Sequence, residues 1–116
     1  MRAVRLHSTG LAIEELETPR PQEGEALVRV HAAGITRNEL TWPVDRLPAI
    51  PSHELSGVVA DVGPGVDDVA PGDAVFGLTP FDRDGVAAEY AAVPAAVLAP
   101  RPASLTHVES AALTLA

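Results

Sequence analysis

Residues 25–33 read EALVRVHAA, and their side chains alternate between two faces. Val28 and Val30 lie on one face, whereas Leu27 and Arg29 lie on the other. Strict alternation over such a length is typical of a half-buried β-strand. The glycine that follows interrupts the pattern, so the sequence predicts a strand that ends there.

Shorter stretches on either side of this strand are separated by turns rich in glycine and proline. They predict strands at residues 3–6, 11–17, 55–62, 74–78 and 85–93, with a short extended piece at 97–99. Six or seven short strands with such turns favour a small β-barrel or sandwich. We therefore expect a mainly β fold.

Two places carry helix signals. Thr36 followed by Glu39 predicts a single helical turn over 36–40 with Thr36 as its N-cap. Thr106 followed by Glu109 has the same spacing and predicts a helix that runs to the chain end without a stop signal. Its apolar residues at helical spacing are Val108, Ala111, Ala112 and Leu115. We expect this helix to continue into a longer protein and its apolar face to pack against that absent part.

Composition excludes several classes of protein. The 116 residues contain no cysteine, which rules out disulfide scaffolds and thiolate metal sites. The net charge of −8 argues against binding nucleic acid through a basic patch. No apolar stretch is long enough to span a membrane, and no secretory signal is evident, so we expect a cytoplasmic protein.

Ordered fragments carry a resemblance to a known family. They are Arg2-Ala3-Val4, residues 25–30, Ala32-Ala33-Gly34-Ile35, residues 51–59, residues 62–66, residues 71–77, residues 85–90 and Val93-Pro94. In this order and spacing they resemble the N-terminal catalytic domain of the medium-chain dehydrogenase/reductase superfamily. The resemblance covers essentially the whole chain and implies a GroES-like barrel at residues 1–105. It also implies that residues 106–116 begin a helix leading toward an absent Rossmann domain.

One departure from the family pattern bears on metal binding. In zinc-dependent members a cysteine follows the Ala-Gly-Ile segment, and a histidine opens a later His-Glu pair. Here Thr36 stands at the cysteine position, while His53 and Glu54 retain the pair. The cysteine-rich loop for structural zinc is also missing. The chain therefore resembles the zinc-free, quinone-oxidoreductase-like branch, for which NADP(H) is the expected cofactor and zinc is not expected.

The resemblance implies a set of site residues. The implied catalytic residues are Thr36, Asn38, His53 and Glu54, the implied cofactor contacts are Thr36, Arg37 and Asn38, and the implied substrate-pocket residues are Trp42 and Phe81. Structural roles compete with each of these. Thr36 could simply cap its turn, His53 could be satisfied by local hydrogen bonds, and the two aromatic rings could pack under loops. Residues 82–84, Asp-Arg-Asp, are expected to form a solvated loop tip.

The segment Gly63-Pro64-Gly65 imitates the start of a dinucleotide-binding glycine loop. Pro64 has no N–H for a phosphate, and two aspartates follow, so a turn is the better interpretation. We thus expect the substrate-side domain of an NADP(H)-dependent quinone or enone reductase, inactive as this fragment. It would bind a small-molecule substrate and join a Rossmann domain, and a homodimer is compatible with the resemblance. Two alternatives remain open: a GroES-like binding or assembly module without catalysis, and a zinc alcohol dehydrogenase with altered ligands.

Overall fold

The computed structural model describes residues 1–42 and 46–114. The strands are β1 (Arg2–His7), β2 (Gly10–Glu15), β3 (Glu25–Gly34), β4 (Glu54–Val62), β5 (Ala74–Leu78), β6 (Tyr90–Pro94) and β7 (Ala99–Pro100). Single 3₁₀ turns span Glu39–Thr41 and Ala95–Val97, and the helix α1 spans His107–Leu113. A mainly β fold with one C-terminal helix is confirmed.

Five strands form an antiparallel sheet in the order β6-β3-β4-β5-β7. Strands β1 and β2 form a separate hairpin. Bridges from Ala3 to Ala88 and from Leu6 to Ala49 connect this hairpin to the rest of the molecule. The longest strand, β3, lies between β6 and β4 and is therefore paired on both edges.

The apolar core is built from small aliphatic side chains of several strands. Its buried members are Ala26, Val28, Leu55, Val59, Val75, Val86, Ala91, Val93 and Ala95. On β3, Ala26 and Val28 are fully buried, whereas Arg29 is exposed. The two faces that the alternation distinguishes therefore differ in burial at Val28 and Arg29.

The predicted strand at residues 85–93 is wrong in its first half. Only Tyr90–Pro94 pairs with β3. The N–H groups of Gly85 and Val86 instead donate to the carbonyl oxygens of Ile50 and Ser52, both at 2.7 Å. A β-carbon on Gly85 would lie 2.0 Å from the Ser52 oxygen, so the segment crosses another backbone too closely for a regular strand.

The extended piece predicted at 97–99 is also displaced. The backbone turns through Ala95–Val97, where the Leu98 N–H donates to the Ala95 carbonyl oxygen at 3.1 Å. Strand β7 follows at Ala99–Pro100 and pairs with β5. Proline before the turn and proline within β7 both limit regular pairing, which explains why only two residues extend the sheet.

The glycine-rich segment after β4 is a turn, as predicted. Gly65 has a φ of +81°, which favours glycine. The Gly63 N–H donates to the Glu25 carbonyl oxygen at 2.8 Å, and a β-carbon on Gly63 would lie 1.9 Å from the Gln22 oxygen. Gly63 and Gly65 therefore serve the turn and its close contact with the backbone at Gln22 and Glu25.

Helix α1 begins with the predicted capping box, because Thr106 and Glu109 exchange both hydrogen bonds. Of its predicted apolar face, Ala111 is buried within this chain, and the expected packing of the remaining members against an absent part stays a prediction. Ser110 and Ala111 are buried against the barrel, whereas Val108 is 71% exposed. Ala112 is also exposed, and Leu115 lies outside the described residues. The barrel-facing stripe is therefore His107, Ser110, Ala111 and Thr114, and three of its four members are polar.

Within the described part of the chain, no helix is long and apolar enough to cross a membrane.

Candidate functional site

The candidate site lies where β3 ends and β4 begins. Gly34 is paired with Glu54 in the β3–β4 register, which brings residues 35–41 next to residues 51–54. A β-carbon on Gly34 would lie 3.0 Å from the β-carbon of Glu54, so glycine leaves the space that the Glu54 side chain occupies. Two predicted site residues that are far apart in sequence, Thr36 and Glu54, are thereby brought together.

The hydroxyl group of Thr36 donates a 2.6 Å hydrogen bond to Oε1 of Glu54. The prediction that this side chain caps the following turn is therefore wrong. The turn is Glu39–Thr41, and its N-cap residue is Asn38, which has a φ of +64° and makes no side-chain capping bond. A carboxylate is a stronger acceptor than the alternatives near Thr36, which explains the orientation of its hydroxyl.

Glu54 is only 7% exposed and forms no ion pair with any described residue. Its second oxygen, Oε2, accepts a 3.3 Å hydrogen bond from the hydroxyl of Thr114, at the end of α1. Buried carboxylates are costly unless they are paired. Among the described residues, the hydroxyls of Thr36 and Thr114 are the hydrogen-bond donors that compensate for the burial of this side chain.

Glu39 belongs to the same site, although its spacing in the sequence predicts only a capping residue. It is 8% exposed, and its carboxylate accepts the N–H of Thr36 at 3.2 Å and the N–H of Ser52 through a short bond. Ser52 has a φ of +73°, and its hydroxyl donates to the Gly34 carbonyl oxygen at 2.5 Å. Glu39 thus fastens the segment after β3 to the segment before β4. The signal for it was present, since it lies three residues after Thr36.

His53 lies beside an aromatic pair. Its ring is 4.9 Å from the ring of Phe81, which in turn contacts Trp42 edge-to-face at 5.9 Å. Its carbonyl oxygen accepts the N–H of Thr79 at 2.7 Å, and the Thr79 hydroxyl lies 3.3 Å from Nδ1 of the ring. Burial lowers the pKa of His53 below its ordinary value of 6.5, although the nearby Glu39 carboxylate opposes the effect. The shift favours the neutral form of the ring.

These aromatic and histidine rings line a small pocket of about 90 Å³. Its lining residues are Leu6, Glu39, Trp42, Arg46, Ala49, Ile50, Pro51, His53, Phe81 and Arg83. The structure thus brings His53, Trp42 and Phe81 together at one cavity. Thr36 and Glu54 lie outside this lining, and Arg37 and Asn38 are exposed on the turn. The functional roles implied for these residues stay predictions.

The expectation of a solvated tip at residues 82–84 agrees with the exposure of Asp82 and Asp84, but Arg83 is partly buried. Arg83 pairs with Glu25 at 2.6 Å and donates to the Ala92 carbonyl oxygen at 3.0 Å. Asp84 accepts the N–H of Ile50 at 3.0 Å. Since Arg83 also lines the pocket, this loop forms part of the pocket wall.

The donor groups at the zinc-ligand positions do not fit a catalytic zinc ion. Such a site needs three protein ligands of suitable chemistry and an open position. The Thr36 hydroxyl is neutral and already donates to Glu54. Within residues 1–42 and 46–114, no three His, Cys, Asp or Glu side chains lie close enough to hold a metal ion.

Residues 22–103 match the family described as alcohol dehydrogenase GroES-like domain. The chain is similar to the NDMA-dependent alcohol dehydrogenase of Amycolatopsis methanolica, with 46% identity over 80 residues, 64% of this chain and 22% of that protein. A solved alcohol dehydrogenase superfamily protein from Novosphingobium aromaticivorans is 36% identical, with a TM-score of 0.92 over 99% of this chain and 38% of its own.

A quinone oxidoreductase from Pseudomonas syringae pv. Tomato DC3000 is 25% identical, with a TM-score of 0.86 over 98% of this chain and 37% of its own. The chain spans less than half the length of each of these three proteins. Its fold and its family match agree with the resemblance read from the ordered fragments. The chain belongs to the alcohol dehydrogenase GroES-like domain family, within the medium-chain dehydrogenase/reductase superfamily.

Proposed function

We propose that this chain is the substrate-side domain of an NADP(H)-dependent oxidoreductase that works without zinc and reduces a quinone or an enone. The nicotinamide cofactor would supply the hydride, and a Rossmann domain outside this chain would bind it. This domain would form one wall of the cleft. The neutral His53 ring, together with Trp42 and Phe81, would present that wall to a small, largely apolar substrate.

The observation that carries the proposal is the hydrogen bond from Thr36 to Glu54. At this position the zinc-dependent members of the superfamily have a thiolate. Here a neutral hydroxyl donates a 2.6 Å hydrogen bond to the nearly buried carboxylate of Glu54. A neutral hydroxyl with an internal hydrogen bond, at a position where zinc enzymes have a thiolate ligand, favours catalysis by the organic cofactor alone.

Metal analysis of the longer protein that carries this chain tests the proposal. We expect far less than one zinc ion per chain after purification, and NADPH-dependent reduction of a quinone or enone that survives a chelator. The variant Thr36→Cys is the matched test of the ligand position, because it should raise zinc retention. Stoichiometric zinc in the unaltered protein, with activity lost on chelation, would overturn the zinc-free assignment.

The second candidate function is a dehydrogenase acting on an alcohol. Its support is the 46% identity with a protein named as an alcohol dehydrogenase. The discriminating assay compares the longer protein with alcohols and NADP⁺ and with enones or quinones and NADPH. A clear preference for the alcohol, with no turnover of enone or quinone, would replace the first candidate by the second.

The 116-residue chain alone should neither bind NADPH tightly nor oxidise it. Its sequence contains no strand–glycine loop–helix unit for the pyrophosphate. Contacts from one cleft wall are too few to offset the entropy lost when a dinucleotide is immobilised. Titration of NADPH fluorescence checks this, and saturable binding in the micromolar range would contradict it.

A further inference from the structure

We infer that the outer edge of β2 pairs with the same strand of a second copy of this chain. The two strands would run antiparallel around a two-fold axis at Ala12, so that two β1–β2 hairpins form one four-stranded sheet. None of the β2 residues lines the pocket at His53. The inference therefore does not depend on zinc, on a nicotinamide cofactor or on catalysis.

The first observation is that the outer edge of β2 is open. The N–H groups of Val4 and Leu6 point away from β2, because they donate to carbonyl oxygens outside the hairpin at 2.8 and 2.7 Å. The residues between them bond to β2, so the backbone of Ala12 points inward, toward β1. The backbone groups of Leu11 and Ile13 point outward, and no described residue provides them with a hydrogen-bond partner. Such an edge is a template for a further strand.

The second observation concerns the charges on this strand. Exposed charged side chains commonly protect an edge strand from pairing. On β2 they are Glu14 and Glu15. Glu14 contacts Arg5 at 3.3 Å and His7 at 2.7 Å, and Glu15 contacts the amino terminus at 3.2 Å. Both carboxylates are thus matched within their own hairpin, which weakens their repulsion of an incoming strand.

The sequence of β2 selects one register for the pairing. Leu11 and Ile13 are 51% and 76% exposed and lie on the same face of the strand. An axis at Ala12 sets Leu11 opposite Ile13 of the second copy, and the outward backbone groups of both can then bond to each other. An axis at Ile13 would set Leu11 opposite Glu15, and an axis at Glu14 would set two like charges against each other. An axis at Leu11 would leave Ile13 opposite the turn.

The same register places opposite charges near each other. Gly10 falls opposite Glu14 of the second copy, and its own partner on β1 is His7. Because glycine has no side chain, none stands between that Glu14 and His7, whose backbones would be two strand spacings, about 9–10 Å, apart. The His7 side chain is 33% exposed and can be reached. The two-fold axis repeats this contact at the other end of the pairing.

The apolar side of the pairing continues into a groove. Ile13 lines an open groove of about 360 Å³ together with Val30, Ala33 and Val86. Leu11 of the second copy would lie beside Ile13 and extend this apolar surface, and its removal from water favours the pairing. The interface is nevertheless small, so we expect a dissociation constant on the order of 0.1–1 mM.

A crosslink through one cysteine tests the register. The chain contains no cysteine. The two copies of Ala12 would form a non-hydrogen-bonded pair with about 4.5 Å between their Cα atoms, which lies within the range of a disulfide. Under mild oxidation near the expected dissociation constant, Ala12→Cys should crosslink about tenfold or more faster than the control Thr9→Cys, whose two copies would lie about 20 Å apart.

Sedimentation equilibrium measures the association itself. Ile13→Lys places a charge opposite Leu11 and should weaken the association about tenfold. Ile13→Pro removes an N–H that points outward, so the hairpin should stay folded while the association is lost. Val108→Lys is the control, because Val108 is 71% exposed on α1 and should leave the association unchanged. Circular dichroism verifies the fold of each variant, and Ile13→Lys decides the test if the proline variant unfolds.

A chain that stays monomeric above the expected dissociation constant overturns the inference. So does an association that Val108→Lys removes and Ile13→Lys leaves unchanged, because α1 would then be the interface. Equal crosslinking of Ala12→Cys and Thr9→Cys overturns it as well. The crosslink is repeated on the longer protein that carries this chain, where it should form again. Its absence there would mean that another part of that polypeptide covers the edge, and the inference would fail.

Discussion

The two faces of β4 bury side chains of opposite character. Leu55 and Val59 point into the apolar core and are almost fully buried. On the other face, Glu54 and Ser56 are equally hidden, yet they contact polar groups of α1. One face is stabilised by the removal of apolar surface from water, and the other depends on each polar atom finding a partner. Burial alone therefore does not tell which kind of interaction a position on this strand makes.

The apolar face should be the more sensitive one. Leu55 is fully buried in the core, so Leu55→Ala is expected to reduce the free energy of unfolding by about 2–5 kcal/mol. Urea unfolding of the 116-residue chain measures the change. Leu11→Ala is the matched control, because Leu11 is 51% exposed and should change stability by no more than about 0.5 kcal/mol. A loss below about 1 kcal/mol at Leu55 would mean that this core relaxes around the cavity.

The polar face should respond less, and through a specific bond. The Ser56 hydroxyl lies 2.7 Å from Nδ1 of His107. Ser56→Ala is expected to reduce the free energy of unfolding by about 1 kcal/mol, the net value of one such bond. The control is Ser104→Ala, at an exposed position. Equal unfolding energies for the two variants would show that the bond contributes nothing to the packing of α1.

The sequence predicted the apolar face better than the polar one. In β3 and β4, apolar residues recur at the spacing of one strand face. Hydropathy and strand period therefore predict the same buried positions. The burial of Ser56 and Ser110 has no such signature, since serine is usually exposed and its burial here depends on where α1 docks. The face of α1 that docks on this chain was not predicted for the same reason, because it packs mainly through polar side chains.

The candidate site was predictable only as a set of positions. The family resemblance selected Thr36, His53 and Glu54 as candidate site residues. In the structure a hydrogen bond joins Thr36 directly to Glu54. The spacing from Thr36 marked Glu39 as a capping residue, but its bond to the Ser52 N–H, from a separate loop, could not be predicted from sequence. Nor could the pairing of Arg83 with Glu25, which are 58 residues apart. Hydrogen bonds between distant loops depend on the folded geometry and leave no local pattern.

A third substitution should reverse the usual sign. Ser110 is fully buried, and its hydroxyl oxygen has no hydrogen-bond partner among the described residues. Ser110→Ala removes an unsatisfied polar atom and also favours the helix, so it is expected to stabilise the chain by about 0.5–1 kcal/mol. Thermal unfolding measures the difference. Ser104→Ala again serves as the exposed control, and a destabilised Ser110→Ala would indicate that the hydroxyl has a partner after all.

The smallest expected effect is a pH dependence confined to the polar face. Burial lowers the pKa of His107 below its ordinary value of 6.5, and the nearby His31 and Arg101 lower it further. The His31 and His107 rings lie 4.5 Å apart, so a second positive charge there is unfavourable. The unfolded chain consequently takes up a proton at His107 at higher pH than the folded chain does. Stability from this group is complete above pH 6.5 and falls as the pH drops below that value.

Urea unfolding at pH 7.5 and pH 5.5 tests this on three chains. The unaltered chain should lose stability between the two conditions, partly through His53, whose pKa is also lowered. His107→Gln removes one contribution, so its loss should be smaller, and His31→Gln should fall between because one repulsive charge is gone. Because His53 is the same in all three, the differences between chains report on the α1 face. If His107→Gln loses as much stability as the unaltered chain, protonation at this helix is not coupled to folding.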